Sequence, residues 1–456
     1  MIELSPEEIA AAAGAEIVGR GDGGRPSRAI IDSREAGEGE LFFGLTGENA
    51  DGGAFAPAAL EAGAWGVVVG WDSVEDAAGE GDGWVYATDD PLAALQRLAT
   101  AWRRRLACPV IGITGSTGKT SVKDICRALL PGRVQATREN MNNEIGLPLA
   151  ILEAPLETEV LALEMAMRGL GQIAELCRIA EPNVGAITNI GPVHLELLGT
   201  IEAIAEAKAE ILEGVGDEGV AVIPADEDAL EPHLDDSLET ITFGPGGEVF
   251  AESSTSDGRS TRTTIATPLG TAEFEFPFGE RYNLTNALCA IAIGVALGAS
   301  PGKMAPLASG ITFSRLRGEL VELAAGIVLV NDCYNANPIS MRAALDHLAS
   351  IEAEGRHVAV LGEMRELGPD AEEFHRDVAA HAREIGVGPI VGVGELAREY
   401  APDVWAADAE GAVEEVEAIL HPGDAVLVKG SRAVGLELVA DELIARRGGE
   451  ATSGDS

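Results

Sequence analysis

Three successive α/β domains are the architecture this sequence predicts, and three observations carry the expectation. Short apolar runs bounded by turn residues alternate with one-sided helical stretches along most of the chain. A length of 456 residues exceeds what one ordinary core can serve. The alternation also restarts after Arg317-Gly318, and an earlier break falls in the glycine- and acid-rich stretch from Gly79 to Gly83. The expected divisions are a small N-terminal α/β domain at 1–88, a central domain with a mostly parallel sheet at 89–317, a C-terminal Rossmann-like doubly wound domain at 318–447, and a disordered tail at 448–456.

In the first domain a helix from Pro6 to Ala13 precedes Ile30-Ile-Asp-Ser-Arg34 and Glu40-Leu-Phe-Phe-Gly44. A helical stretch from Ala54 to Ala62 and a strand from Trp65 to Val69 follow. Polar segments at Asp32-Ser33-Arg34 and Leu45 to Gly53 come after strands, where ligands usually sit, although loop composition explains them about as well. A helix from Pro91 to Leu106 leads into the most informative stretch, Cys108 to Ser121. There an apolar strand (Val110 to Ile113) runs into Thr114-Gly-Ser-Thr-Gly-Lys-Thr120. A helix then carries Val122, Ile125, Cys126 and Leu129 on one face. Strand, glycine turn and helix start make a phosphate cradle. Backbone N–H groups and the helix dipole face an anion, a lysine adds charge, and a Thr hydroxyl suits Mg²⁺. This P-loop is a variant, because the position five before Gly118 is Ile113, with glycine one place earlier at Gly112. Strands at Val160 to Leu163, Val184 to Ile190 and Gly219 to Ile223 continue the sheet; Thr261 to Phe276 reads as an antiparallel excursion, and a helix from Asn283 to Leu297 closes the unit. In the last domain, strands at Ile327 to Val330, Val358 to Leu361, Ile390 to Val393 and Ala425 to Val428 alternate with helices beginning near Pro338, Asp370, Gly411 and Val434. This last domain lacks GxGxxG, so no dinucleotide is indicated there.

A hydrophobic content of 46% is ample for a globular core. Five scattered cysteines without CxxC indicate neither a disulfide framework nor a zinc site. The acidic N-terminus is unlike a signal peptide, and no apolar run reaches bilayer length, so a soluble, cytoplasmic protein without membrane partner is expected. The net charge of −43 argues against nucleic acid as a partner. It also makes each of the five lysines worth inspecting, since a phosphate-binding protein with this surface must gather its cations locally.

Several residues stand where chemistry would use them. Glu164 ends a buried apolar strand, where a carboxylate needs a cation; beside the cradle, Mg²⁺ is the expected one. His194 follows the strand beginning at Val184, at the sheet edge that binds ligands. Lys208 lies fourteen residues on, in an amphipathic helix. It is either an ordinary surface lysine or a buried amine able to take up CO₂ as a carbamate. Asn140, Asn142 and Asn143 form an amide-rich loop suited to a mixed carbonyl and phosphate ligand. Asp332 and Asn335 follow another strand, and Lys429-Gly-Ser431-Arg432 follows the last, with two cations that suit a carboxylate.

Taken in order, Thr114 to Thr120, Glu164, His194 with Lys208, Tyr282-Asn283-Leu-Thr-Asn286, Arg317, Asp332 and Lys429 to Arg432 resemble the Mur ligases, the ATP-dependent amide-forming enzymes of peptidoglycan synthesis. The likeness runs from about Asp32 to Arg432. It departs from the family pattern at Arg315-Leu-Arg-Gly-Glu, which varies from the usual Pro-Gly-Arg. Within the family, Asn140 to Gly146, Asp332 to Pro338 and Leu361 to Gly368 look like the branch that adds D-alanyl-D-alanine to UDP-N-acetylmuramoyl-tripeptide. The resemblance implies that Gly115, Ser116, Thr117, Gly118, Lys119, Thr120 and Ser121 wrap the ATP phosphates, with Asn283 and Asn286 on the adenine side. Arg317, Asp332 and Asn335 would contact the nucleotide as the third domain closes. Thr120 and Glu164 would hold one Mg²⁺, and His194 with carbamylated Lys208 a second. Asp32, Ser33 and Arg34 would lie near the UDP end; Asn140, Asn142, Asn143, Lys429, Ser431 and Arg432 would serve the substrates. A monomer acting through an acyl phosphate is implied. The rivals are another ligase of the superfamily, such as a folylpolyglutamate synthase, and a nucleotide-hydrolysing switch, against which no Asn-Lys-x-Asp occurs.

Overall fold

The computed structural model describes residues 2–47, 51–78, 82–138, 140–235 and 237–451. Much of the Leu45 to Gly53 loop is therefore described, but 48–50 and, in the expected linker, 79–81 lie outside the described residues.

The central sheet has six parallel strands in the order Glu239–Phe243, Val220–Pro224, Val184–Ile187, Val110–Thr114, Val160–Glu164 and Val134–Ala136. Its four inner strands are buried on both faces, and alternate residues feed separate cores. Leu161 and Leu163 pack with the helices Pro91–Leu106 and Ile201–Gly214, whereas Val160 and Ala162 join Ile111, Ile113 and the helices Lys119–Leu129 and Arg281–Ala296. Period-2 alternation between two helical layers is the packing a parallel sheet requires. The strand expected to reach Ile190 stops at Ile187, because Thr188 and Asn189 leave the ladder to bond the cradle. Residues Phe250–Ser256, Thr261–Thr267 and Gly270–Phe276 form the antiparallel excursion, a three-stranded sheet.

The first domain carries five strands, Glu16–Gly19, Trp84–Thr88, Gly66–Gly70, Glu40–Phe43 and Arg28–Ile30, antiparallel only at the first pair. Its core is continuous with that of the central domain. Ile9, Leu41, Val68 and Tyr86 belong to the same apolar cluster as Leu95, Trp102 and Leu161, with the helix Pro91–Leu106 between them.

The third domain is doubly wound. Its seven strands run Val404–Ala406, Ile390–Val393, His357–Gly362, Ala425–Lys429, Ile327–Asn331, Glu319–Leu323 and Gly449–Ala451, the last two pairings antiparallel. Val358, Val360, Val426 and Val428 face the helices Ala409–Ile419 and Glu437–Arg447. Ala359, Leu361, Ala425 and Leu427 face Pro338–Ser350 and Ala371–Glu384. One expectation is corrected here. Of the disordered tail at 448–456, residues 449–451 form an edge strand on Val321–Leu323; backbone pairing needs no apolar side chain, so low hydrophobicity hid it. Residues 452–456 lie outside the described residues. The last helix begins at Glu437 rather than near Val434, which sits in a short 3-10 turn.

Both cores of the third domain are its own, and several polar contacts tie it to the central domain. Ser314, in the connection, donates from its N–H and its hydroxyl to Asp124 on the cradle helix, 2.8 Å each; the buried Lys123 ammonium stands 3.1 Å from the same carboxylate. Glu280 and His347, both buried, approach to 3.6 Å across the boundary. Burial pushes the Glu280 carboxyl up to about 7 and the His347 imidazole down to about 4. An unfolded chain ionises Glu280 near 4.5, whereas the fold keeps its proton until about 7, so this group lowers stability as pH rises through that window. His347 acts oppositely, lowering stability as pH falls from 6.5 to about 4. The Glu280→Gln variant should therefore gain stability relative to the parent as pH is raised from 4.5 to about 7, by at most about 3 kcal/mol, and level off above. Urea unfolding at a series of pH values measures this; a constant difference would contradict it.

Candidate active site

The cradle folds as its composition dictates. Gly115 takes φ +146°, and a Cβ there would stand 1.9 Å from the Thr188 hydroxyl; at Gly118 (φ +79°) one would stand 2.3 Å from Asn286 Oδ1. Only glycine lets the turn lie this close to its neighbours. Asn189 pins the turn from the next strand: its carbonyl accepts from the Ser116 N–H (3.1 Å), and its Oδ1 from the Thr117 N–H (2.9 Å). Ser116 Oγ also exchanges bonds with Gly191 (donating 3.0 Å, accepting 2.9 Å). Two of the expected phosphate donors are thus committed to holding the loop. The first-turn amides of the helix Lys119–Leu129 have no intrahelical acceptor and remain for an anion.

A cavity of about 790 Å³ opens over this helix start. From the central domain Ser116 to Ser121, Asn140, Asn142, Asn143, Glu164, His194 and Asn286 line it; from the connection and third domain come Arg317, Asp332, Asn335 and Lys429. Residues spread over more than 300 positions of the chain therefore meet. Thr120 Oγ1 donates to Glu164 Oε2 (2.8 Å) and accepts from Arg317 Nη2 (3.1 Å); Asn142 Nδ2 donates to Glu164 Oε1 (2.8 Å). The Arg317 guanidinium lies 3.9 Å from the Tyr334 ring centre, which fixes its plane. Leu316 and Gly318, both at positive φ, bend the chain on either side of it.

Cations crowd the cradle. Lys119 Nζ donates to the Gly115 carbonyl (2.8 Å); burial lowers its proton affinity, Glu164 opposes this, and Arg317 lowers it further. Lys208 is 2% exposed, and no hydrogen-bond or ion-pair partner meets it among the described residues. Burial, then Lys119, pushes it well below an ordinary lysine. It does not line the cavity but stands behind it, close enough to Lys119 and His194 to act on both charges. His194 is lowered first by burial, against the pull of Glu366, whose carboxylate meets its Nδ1.

Other expected residues sit differently. Asn283 is buried behind Asn286, its Oδ1 accepting from Asn286 Nδ2 (3.0 Å). Asn143 Oδ1 accepts from the Gly146 N–H (2.8 Å), starting the helix Gly146–Glu153. Lys429 Nζ is held by Asp332 Oδ2 (2.6 Å) and the Asn335 carbonyl (3.0 Å). Ser431 Oγ accepts from the Arg365 N–H (3.0 Å), and Arg432 pairs with Glu437 (3.0 Å) outside the cavity. Asp32, Ser33 and Arg34 also lie outside it, in a short 3-10 turn where hydrogen bonds from Arg34 hold the Asp32 carboxyl down to about 2. Asn189 and Glu366 are two site residues for which the sequence implies no task. The Asn following the His194 strand was the available signal for the first; nothing local signals the second.

Two oxygen donors, Thr120 and Glu164, fit a hard cation that keeps phosphate and water oxygens in its shell. Among the described residues no group of three His, Cys, Asp or Glu forms a complete protein cage.

The comparisons agree with this geometry. The Mur ligase middle domain matches residues 113–294, and the Mur ligase glutamate ligase domain matches residues 316–432. The UDP-N-acetylmuramoyl-tripeptide–D-alanyl-D-alanine ligase of Bacillus subtilis is 37% identical, covering 91% of this chain and 92% of its own. Its Synechocystis counterpart is 38% identical, with 92% of each covered. Among solved structures, MurF from Acinetobacter baumannii superposes with a TM-score of 0.87 at 27% identity, over 97% of this chain and 100% of that one. MurF ligase from Thermotoga maritima in complex with ADP gives 0.80 at 29%, over 92% and 98%. With both family domains matched in order around the cradle and relatives aligned along nine-tenths of its length, the chain belongs to the Mur ligase family.

Proposed function

We propose that the chain is an ATP-dependent, ADP-forming ligase that joins D-alanyl-D-alanine to UDP-N-acetylmuramoyl-tripeptide in peptidoglycan precursor synthesis. One observation carries the reading. The phosphate cradle, a buried carboxylate beside it and polar groups of the third domain line a single cavity, in a chain aligned nearly end to end with ligases of that name.

The chemistry must bring together two anions. A tripeptide carboxylate oxygen attacks the γ-phosphorus of ATP as the bond to the ADP oxygen breaks, giving an acyl phosphate. The dipeptide amine then attacks the acyl carbon, and the tetrahedral adduct expels phosphate and leaves the amide. The protein's part is to place and neutralise charge. First-turn amides of the helix Lys119–Leu129 receive phosphate oxygens. Lys119 exchanges the Gly115 carbonyl for phosphate, and an anion arriving beside it restores the proton affinity that burial removes. Arg317, held flat on Tyr334, is aimed at the same end. Asn286 supports the adenine side, with Asn283 fixing its amide. Thr120 and Glu164 would hold Mg²⁺, which when bound screens the phosphate charges; Asn142 orients Glu164.

His194 and Lys208 would serve a second Mg²⁺. Lys208 is suited to carbamylation, because a buried amine without an acidic partner is a nucleophile for CO₂ and its carbamate would lie beside cations. Asn140, Asn142 and Asn143, which line the cavity, would serve the tripeptide substrate, and Lys429 with Ser431 and Arg432 would serve the dipeptide after exchanging present partners such as Asp332 and Glu437. The first domain, 1–88, would bind the UDP-sugar, with Asp32, Ser33 and Arg34 near the UDP end. The division into 89–317 and 318–447 separates ATP binding from a lobe that closes with the amine. A monomer acting in the cytoplasm, away from nucleic acid and membrane, fits the acidic surface; among the described residues no single helix is long and apolar enough to cross a membrane.

Incubating the protein with ATP, Mg²⁺, UDP-N-acetylmuramoyl-tripeptide and D-alanyl-D-alanine should yield pentapeptide and phosphate in equal amounts; phosphate without pentapeptide would refute the reading. Lys119→Ala should lower kcat by about 10³-fold or more. Lys208→Ala should lose most activity and recover part of it with added short-chain carboxylates; full activity without them would remove the carbamate.

A further inference from the structure

Across the boundary between the central and third domains, two non-glycine residues in the left-handed region face each other: His194 (φ +54°) and Glu366 (φ +63°). Such conformations persist only where the surroundings over-determine them. Around Glu366 they do. The Met364 N–H donates to Nε2 of the buried His375 (3.0 Å), whose Nδ1 donates to the Ala371 carbonyl (2.6 Å). The Arg365 N–H donates to Ser431 Oγ (3.0 Å), the Ser431 N–H to the Glu363 carbonyl (3.0 Å), and the buried Tyr400 hydroxyl to the Gly362 carbonyl (2.9 Å). Residues 362–365 are thereby fixed to the third domain, and Glu366 projects from them. Its carboxylate meets His194 Nδ1, its carbonyl accepts from the Glu196 N–H (3.4 Å), and Arg168 stands 4.0 Å from its other oxygen.

We propose that Glu366 is a positioning residue supplied by the third domain: its carboxylate accepts the Nδ1–H of His194, fixing the tautomer whose Nε2 lone pair serves the cavity. Residues 362–366 then act as a rigid strut, so that the imidazole is oriented for work only when the third domain is docked. This gives the Leu361 to Gly368 segment and Ser431 a shared task, which rests on the reading of His194 as a site residue.

The test uses the full-length chain with 15N-labelled histidine, at about pH 8, where a neutral ring reports its tautomer. The parent and Glu366→Gln, whose amide oxygen still accepts, should show His194 protonated at Nδ1. Glu366→Gly, which relieves the backbone but removes the acceptor, should shift it toward Nε2 and lower kcat about 10- to 100-fold with little change in KM for ATP. An Nδ1-protonated His194 in Glu366→Gly, or an unchanged kcat, would overturn the proposal. A tautomer shift in a protein that makes no pentapeptide would overturn the ligase reading instead and leave the contact standing.

Discussion

Like charges packed together without enough counter-charge are the condition around which this molecule is built. Lys119, Arg317, Lys208 and the imidazole of His194 act on one another through a poorly solvated region; the lysines and the histidine are lowered by burial, and each neighbouring cation lowers them further. Two carboxylates meet them: Glu164, its oxygens engaged by Thr120 and Asn142, and Glu366, which pairs with His194. Such a site is unfavourable empty and becomes favourable when a polyanion enters, so binding free energy is stored in the scaffold rather than in flexible surface groups. The cores supply the rigidity that prevents the cations from dispersing into solvent: the helix carrying Lys119 is buried against Arg281–Ala296, and the helix carrying Lys208 against the opposite face of the same sheet.

The three domains are tied together unequally. An unbroken apolar cluster joins the first domain to the central one through Pro91–Leu106, and separating them would expose large side chains such as Trp102. The third domain keeps its cores to itself and touches the cradle through Arg317 on Thr120, Ser314 on Asp124 and Glu366 on His194. Polar contacts of this kind can be exchanged for water at small net cost, so a lobe attached by them can swing. Two of the three reach residues of the helix Lys119–Leu129, which makes the cradle helix also the seat of the connection.

What the sequence revealed follows from how local each feature is. The cradle was legible because strand, glycines, lysine and helical stripe fall within fourteen residues, and the double winding of the third domain because its strands are continuous apolar runs. Glu164 was legible as a charge ending a buried strand. Glu366 was not, since its partner is 172 residues away and its backbone conformation has no sequence mark without glycine. Lys123 and Asp124 carry no local mark of their place either: both are buried, and Asp124 accepts from Ser314 in the connection. The edge strand at 449–451 escaped because a third-domain strand offers it backbone groups, which no hydropathy pattern reports.

The scarcity of lysine is the last piece of the same design. Lys123, Lys208 and Lys429 are each 2% exposed, Lys119 lies in the cradle, and Lys303 alone of the five is on the surface. Arginine does the surface work, pairing with the abundant acids, in a fork where Arg104 meets Glu181 and by single bonds from Arg446 to Glu414 and Glu442. With a net charge of −43 the molecule repels ATP at long range, but that field is screened within about 8–10 Å in physiological salt. The cavity is lined by Lys119, Arg168, Arg317 and Lys429 but also by Glu144, Glu164, Glu175, Asp226, Glu227 and Asp332, so its attraction for a triphosphate is confined to the cradle end, where Lys119, Arg317 and the first-turn amides gather. Burial lowers the proton affinity of Lys119 and Lys208, which eases the charge that such a site holds when empty, while Arg317, the arginine beside them, lies on the Tyr334 ring and donates to Thr120.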